Sequence, residues 1–150
     1  MAEIVAVAAD HGGYELKSVL LPELRALGFD VLDLGTNSLE SVDYPDFAER
    51  VAQAIEAGKA SFGVLICGTG IGMSIAANRH PAIRCALVHD VTSARLSRAH
   101  GDANVLALGA RMIGQTVALD CLHAFIATGF DGGRHAPRVA KLGKVGELAA

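Results

Sequence analysis

The sequence has no tryptophan, and aromatic residues make up only 5% of its 150 positions. A basic stripe is also missing: 13 Lys and Arg stand against 16 Asp and Glu, for a formal net charge of −3. Nucleic-acid binders rely on clustered cations and stacking aromatics, so no nucleic-acid partner is expected. No apolar run approaches the roughly 18 residues of a membrane span, so no membrane partner is expected either. The opening Met1-Ala2-Glu3 has no basic n-region and leads straight into a strand pattern, unlike a secretory leader. Cysteine is scarce. Cys67, Cys85 and Cys121 are odd in number and form no C-x-x-C pair, which argues against a disulfide framework and against zinc. No two histidines have metal-ligand spacing, so no metal is expected. A reducing cytoplasm is the natural setting.

What is present is a hydrophobic content of 51%, enough for a well-filled core or for surface hidden against a partner. A chain of this length is the usual size of one domain, here spanning 1–150. Ile4 to Ala9 (IVAVAA) is a short apolar run closed by Asp10-His11-Gly12-Gly13, the pattern of a buried parallel strand. Leu16 to Leu27 repeats apolar residues at helical spacing, with Gly28 as a C-terminal cap and Pro22 as an expected kink. Phe29 to Leu34 reads as a second strand, and Gly35 to Pro45 as a polar loop. Asp46 to Ala57 reads as a helix, Phe62 to Cys67 as the third strand. A glycine loop then enters a small-residue helix ending at Asn78. Arg84 to Val88 and Val105 to Leu108 are the fourth and fifth strands. Helices are expected over 91–100, 115–128 and 134–148, the last starting near His135 because Pro137 suits a first turn.

Strands alternating with helices imply parallel strands, right-handed crossovers and helices on both faces. The predicted fold is a single-domain, three-layer α/β/α, Rossmann-like fold with a five-stranded parallel sheet. In such sheets ligands bind beyond the carboxyl ends of the strands. Asp10 and His11 follow the first strand, Cys67 and the glycine loop the third, and His89 and Asp90 the fourth. A flavodoxin-like strand order would make strands one and three neighbours and put Asp10, His11 and Cys67 in one crevice.

Cys67-Gly68-Thr69-Gly70-Ile71-Gly72 is an anion cradle by composition. Glycines allow backbone N–H groups to converge, and the following helix start adds partial positive charge. The anion is a phosphate or a developing oxyanion. A cysteine at its edge favours the thiolate. The alternative is a tight strand–helix turn with an inert, buried cysteine. Arg134 and Arg138, four apart, share one helix face and suit a phosphate, with a solvated basic face as the alternative. His100 closes a helix, where histidines more often cap than react. Cys85 in a strand core and Cys121 on an apolar helix face read as structural.

Taken in order, these segments resemble the ribose-5-phosphate isomerase B family, with its galactose-6-phosphate and allose-6-phosphate isomerase relatives. The matching pieces are Ala9-Asp10-His11-Gly12-Gly13, Asp43-Tyr44-Pro45, Ile66 to Gly72, Ser74 to Asn78, Ser97 to His100, Asn104 to Ala107, Gly109-Ala110-Arg111 and Gly133-Arg134-His135 with Arg138. The resemblance implies an aldose–ketose isomerase of ribose 5-phosphate and ribulose 5-phosphate. It implies Cys67 as the base that moves a proton between C1 and C2, with Thr69 as its hydroxyl helper. It implies the amides of Gly68, Gly70, Ile71 and Gly72 as the enediolate hole. It implies that His100 opens the furanose ring with Asp10 nearby. His11, Arg111, Arg134 and Arg138 become phosphate contacts and Tyr44 a pocket wall. A homodimer or tetramer with a shared active site, and no metal or organic cofactor, is implied as well. Gly101 departs from the family pattern, which generally has Asn. It could offer its own N–H or leave space for a six-carbon sugar, so a shifted preference is expected. A non-catalytic phospholigand module would use the glycine loop for phosphate and Asp90 for a ribose hydroxyl. It leaves Cys67, His100 and the arginine pair without tasks, as does a purely structural subunit of a hetero-oligomer.

Overall fold

A computed structural model describes residues 1–144, 146 and 147. The elements run β1 Ile4–Ala9, α1 Tyr14–Ala26, β2 Asp30–Asp33, α2 Tyr44–Glu56, β3 Phe62–Cys67, α3 Ile71–Ala77, β4 Cys85–Leu87, α4 Val91–Ala99, β5 Val105–Gly109 and α5 Gln115–Ala127. A 3₁₀ turn over Gly133–His135 leads into α6 Ala136–Leu142. Among the described residues the five strands form one all-parallel sheet in the order β2-β1-β3-β5-β4. The α/β/α architecture is as the alternation implied.

Because side chains alternate across a strand, β1 feeds two cores. Val5, Val7 and Ala9 pack with Leu20 and Leu24 of α1 and Leu122 and Phe125 of α5. Ala6 and Ala8 face the other way, toward Phe47, Ala48, Val51 and Ala52 of α2. That second face is built from small residues so that α2 can sit close. A methyl group at Gly63 would lie 2.5 Å from Val51 Cγ1. Each fully buried Val or Leu contributes about 1.5–3 kcal/mol relative to exposure.

Four expectations need correction. The order is not flavodoxin-like beyond β3: β5, not β4, adjoins β3, and β4 is the edge strand. Cys85, on that edge, is therefore half-buried rather than in a strand core. Pro22 lies inside a continuous α1 on its exposed side, where solvent reaches the Ser18 carbonyl that loses its partner. The C-terminal helix is short, because Gly143 caps α6 after Leu142; Leu148 lies outside the described residues. Asp90 is committed to capping α4, accepting the Ser93 N–H at 2.6 Å.

Candidate active site

β1 and β3 are neighbours, with Ala9 opposite Ile66, so their carboxyl tips meet. Asp10 is buried there and its Oδ1 accepts the Gly13 N–H at 3.1 Å. A methyl at Gly12 would stand 3.3 Å from both Asp10 Oδ1 and the Gly68 nitrogen, so the two loops touch through a glycine. His11 is oriented by the backbone: Val42 donates its N–H to His11 Nδ1 at 3.2 Å. A neutral ring accepting at Nδ1 carries its proton on Nε2, which leaves His11 a donor on its other edge.

Cys67 closes β3 and is 5% exposed. Its Sγ accepts the Gly70 N–H at 3.0 Å. Gly70 makes this turn at φ +78°, in the left-handed region, with Leu87 and the Leu108 backbone filling the space a side chain would need. Ile71 donates its N–H to Thr69 Oγ1 at 3.2 Å. Two of the expected hole amides are thus engaged within the loop, on the sulfur and on the helper hydroxyl. Among the described residues the Gly68 and Thr69 N–H groups donate to no protein acceptor. The first-turn amides of α3 are likewise free of intrahelical partners. Arg111 lies over Gly68, its Nη1 3.3 Å from where a Cβ would be, and its own N–H reaches the Gly68 carbonyl at 2.9 Å. The Tyr44 ring sits so tightly on Gly72 that no side chain fits between them. Asp10, His11, Tyr44, Arg111 and the loop from Cys67 to Gly72 therefore form one assembly at the carboxyl end of the sheet.

His100, Gly101, Arg134 and Arg138 are not part of it. α4 starts beyond the carboxyl end of β4 and runs back along the sheet, so its end lies at the amino end of β5. Gly63 there donates to the Asn104 carbonyl, while Cys67 pairs with Gly109 at the other end. Four residue steps of about 3.3 Å put roughly 13 Å of sheet between the two groups. His100 is the C-cap residue of α4. Its ring stacks on that of His135, with centroids 4.2 Å apart and planes 13° from parallel. Asp131 Oδ2 is 3.9 Å from His100 Nε2. Arg134 and Arg138 flank the pair and, after burial and the charge of His100, hold the His135 imidazole below its ordinary value, against the pull of Asp131. Ligand atoms of His100, Asp131 and His135 come within 4.8 Å of one another, but both guanidiniums oppose a cation there.

The turn beyond His100 is fixed from several sides. Buried Arg98 donates to the Thr128 carbonyl at 3.2 Å and to the Ala103 carbonyl, and it pairs with Asp102 at 3.2 Å. Arg84 reaches the Asp102 carbonyl at 2.7 Å. Asp102 itself has φ +46°. A side chain at Gly101 would begin 2.9 Å from the Ser97 carbonyl oxygen, so the turn would have to shift to accept one. Gly101 also walls a cleft of about 390 Å³ shared with Asn78, Arg84, Ser97 and Leu142.

Burial pushes the Cys85 thiol up to about 12 and raises that of Cys121, so both stay protonated. Asp131, His135, Arg98 and Val42 carry no role in the sequence reading. His135 and His100 are 35 positions apart, and no local pattern links them.

Comparisons with known proteins bear on the family and the fold. The model of the Ribose/Galactose Isomerase family matches residues 5–142. Ribose-5-phosphate isomerase B of Escherichia coli K12 is 44% identical over 135 residues, 90% of this chain and 91% of that one. A ribose 5-phosphate isomerase from Thermotoga maritima superposes with a TM-score of 0.93 at 48% identity, covering 97% of this chain and 100% of the other. Ribose 5-phosphate isomerase B from Anaplasma phagocytophilum gives 0.88 at 52% identity, over 94% and 97%. Matched across nearly its whole described length in both sequence and fold, this chain belongs to the ribose/galactose isomerase family of enzymes.

Proposed function

We propose that the protein interconverts ribose 5-phosphate and ribulose 5-phosphate, and that each active site is assembled from the carboxyl-end group of one chain and the amino-end group of a second copy. The observation that carries the reading is the Gly70 N–H aimed at Cys67 Sγ, at a strand tip shared with Asp10 and His11. An N–H on the sulfur is the donor a thiolate needs, and an isomerase needs a base beside bound substrate.

The chemistry runs in two stages. His100 of the second copy takes the anomeric hydroxyl proton, the bond from C1 to the ring oxygen breaks, and His100 passes that proton to the ring oxygen, near Asp10, as the furanose opens to the aldehyde. The Cys67 thiolate then removes the proton from C2, the carbonyl electrons move to O1, and a cis-enediolate forms. The Gly68 and Thr69 N–H groups face that charge. Thr69 relays the hydroxyl proton, and the Cys67 thiol returns its proton to C1 to give the ketose. C1 is reduced and C2 oxidised within one molecule, so no external electron carrier enters. His11 Nε2–H, Arg111, Arg134 and Arg138 bind the phosphate, whose remote interactions orient the reacting carbons. A reducing cytoplasm keeps Cys67 a thiol.

Gly101, which stands where the family pattern generally has Asn, favours a second reading, in which a six-carbon aldose phosphate is the substrate. The deciding test is ketose formation followed by NMR from five- and six-carbon aldose phosphates, with wild type and Cys67→Ala. Ribose 5-phosphate should turn over fastest, and Cys67→Ala should lose about 10²–10⁴ in kcat while still binding phosphate ester. Full activity in Cys67→Ala would remove the base assignment, and exclusive turnover of a six-carbon sugar would favour the second reading.

A further inference from the structure

We propose that His135 is a positioning residue for His100, holding the ring of the ring-opening acid–base flat against its own. This rests on the reading of His100 given above. The two imidazoles lie 4.2 Å apart and 13° from parallel, a face-to-face contact that fixes the plane in which His100 presents its nitrogens. His100 needs such support. It is a helix C-cap residue whose side chain is 45% exposed, and the Asp131 carboxylate beside it stands at 3.9 Å, beyond hydrogen-bond reach. Without the stack the ring would sample several rotamers.

The contact also sorts the proton. Two positive rings at this separation repel, so a proton taken up by the pair suppresses a second. The groups facing His135 are His100 from α4, Asp131 from the preceding loop, Arg134 in the 3₁₀ turn and Arg138 on α6. Three of these four disfavour a positive His135, and burial adds to them, so His135 stays the neutral member. The Asp131 carboxylate stands on the Nε2 side of His100. His135 reaches its place because the chain before it is tied to the end of α4: Asp131 donates its N–H to the Ala99 carbonyl at 2.9 Å.

The test compares His135→Ala, His135→Phe and His100→Ala using ribose 5-phosphate. His135→Ala should lower kcat roughly tenfold to a hundredfold, the scale of a misplaced catalytic group, with KM changed little. His135→Phe keeps a flat ring without a charge and should restore most of kcat. NMR titration of the His135 imidazole should show it below its ordinary value in wild type and closer to that value in His100→Ala. Wild-type kcat in His135→Ala would overturn the inference. So would equal losses in both His135 variants expressed through KM, which would make His135 a phosphate contact. If His100→Ala itself turns over normally, the ring-opening assignment is what fails. If His100→Ala is inactive and His135→Ala is unaffected, only the positioning role falls.

Discussion

Cys67 and His100 lie at opposite ends of the sheet, the first closing β3 at its carboxyl tip and the second closing α4 at the level of the amino end of β5. Parallel strands fix this separation. A helix that follows a strand in a parallel sheet must run back, so its last residue returns to the end where the strand began. Within one chain the two groups therefore do not meet, and the proposed shared site needs a second copy.

Chain mixing tests that relationship. Cys67→Ala and His100→Ala proteins should each be nearly inactive. Unfolded together and refolded as a mixture, they should recover roughly a quarter of wild-type activity, since half of randomly formed two-fold dimers are hybrid and each hybrid has one intact site of two. No recovery in the mixture, with hybrid dimers demonstrated by mass spectrometry, would mean that both residues act within one chain or that one of them is idle.

Gly70→Ala probes the turn beneath the sulfur. The residue sits at φ +78°, and a Cβ would be 2.5 Å from Leu87 Cδ1 and 3.0 Å from the Leu108 carbonyl carbon. Backbone strain of about 1–3 kcal/mol is expected, and Tm should fall by roughly 3–10 °C. Movement of the loop also withdraws the N–H from Cys67, so kcat should drop at temperatures where the variant is fully folded. An unchanged kcat there would show that this donor is dispensable.

Gly101→Asn tests substrate preference. The new Cβ would open the turn against the Ser97 carbonyl and push an amide into the cleft that Gly101 walls. The ratio of kcat/KM for ribose 5-phosphate over a six-carbon aldose phosphate should rise. An unaltered ratio would show that Gly101 does not set the choice of sugar.

Stability should carry a pH signature from His80, which bridges Glu49 at 2.6 Å and Glu56 at 2.7 Å through its two ring nitrogens. The Glu49 hydrogen bond, with the charges of both carboxylates, raises His80 above its ordinary 6.5 despite partial burial. A group raised in the folded state stabilises fully below its unfolded value, and the benefit is lost as pH climbs through the folded value. Tm should therefore decline as pH climbs above His80's ordinary 6.5 more steeply in wild type than in His80→Gln. Parallel slopes would rule out this bridge as a source of pH dependence.

Sequence alone determined the layers and which residues gather at the carboxyl end of the sheet. The runs IVAVAA, FGVLIC and VLAL are apolar over a strand's length without the polar face of an amphipathic helix, and the glycines after Cys67 mark a turn at a strand tip. These are local properties, and local patterning carries them. Tertiary structure decided the rest. The exchange of β4 and β5 depends on which crossover packs against which helix, and it moved Cys85 from an expected core to an edge. The pairing of His100 with His135, and the distance of both from Cys67, follow from the return path of α4 and the docking of the 3₁₀ turn against its end. Contacts between residues 35 positions apart leave no periodic trace in a sequence, because periodicity records which face a residue occupies and not which neighbour it meets.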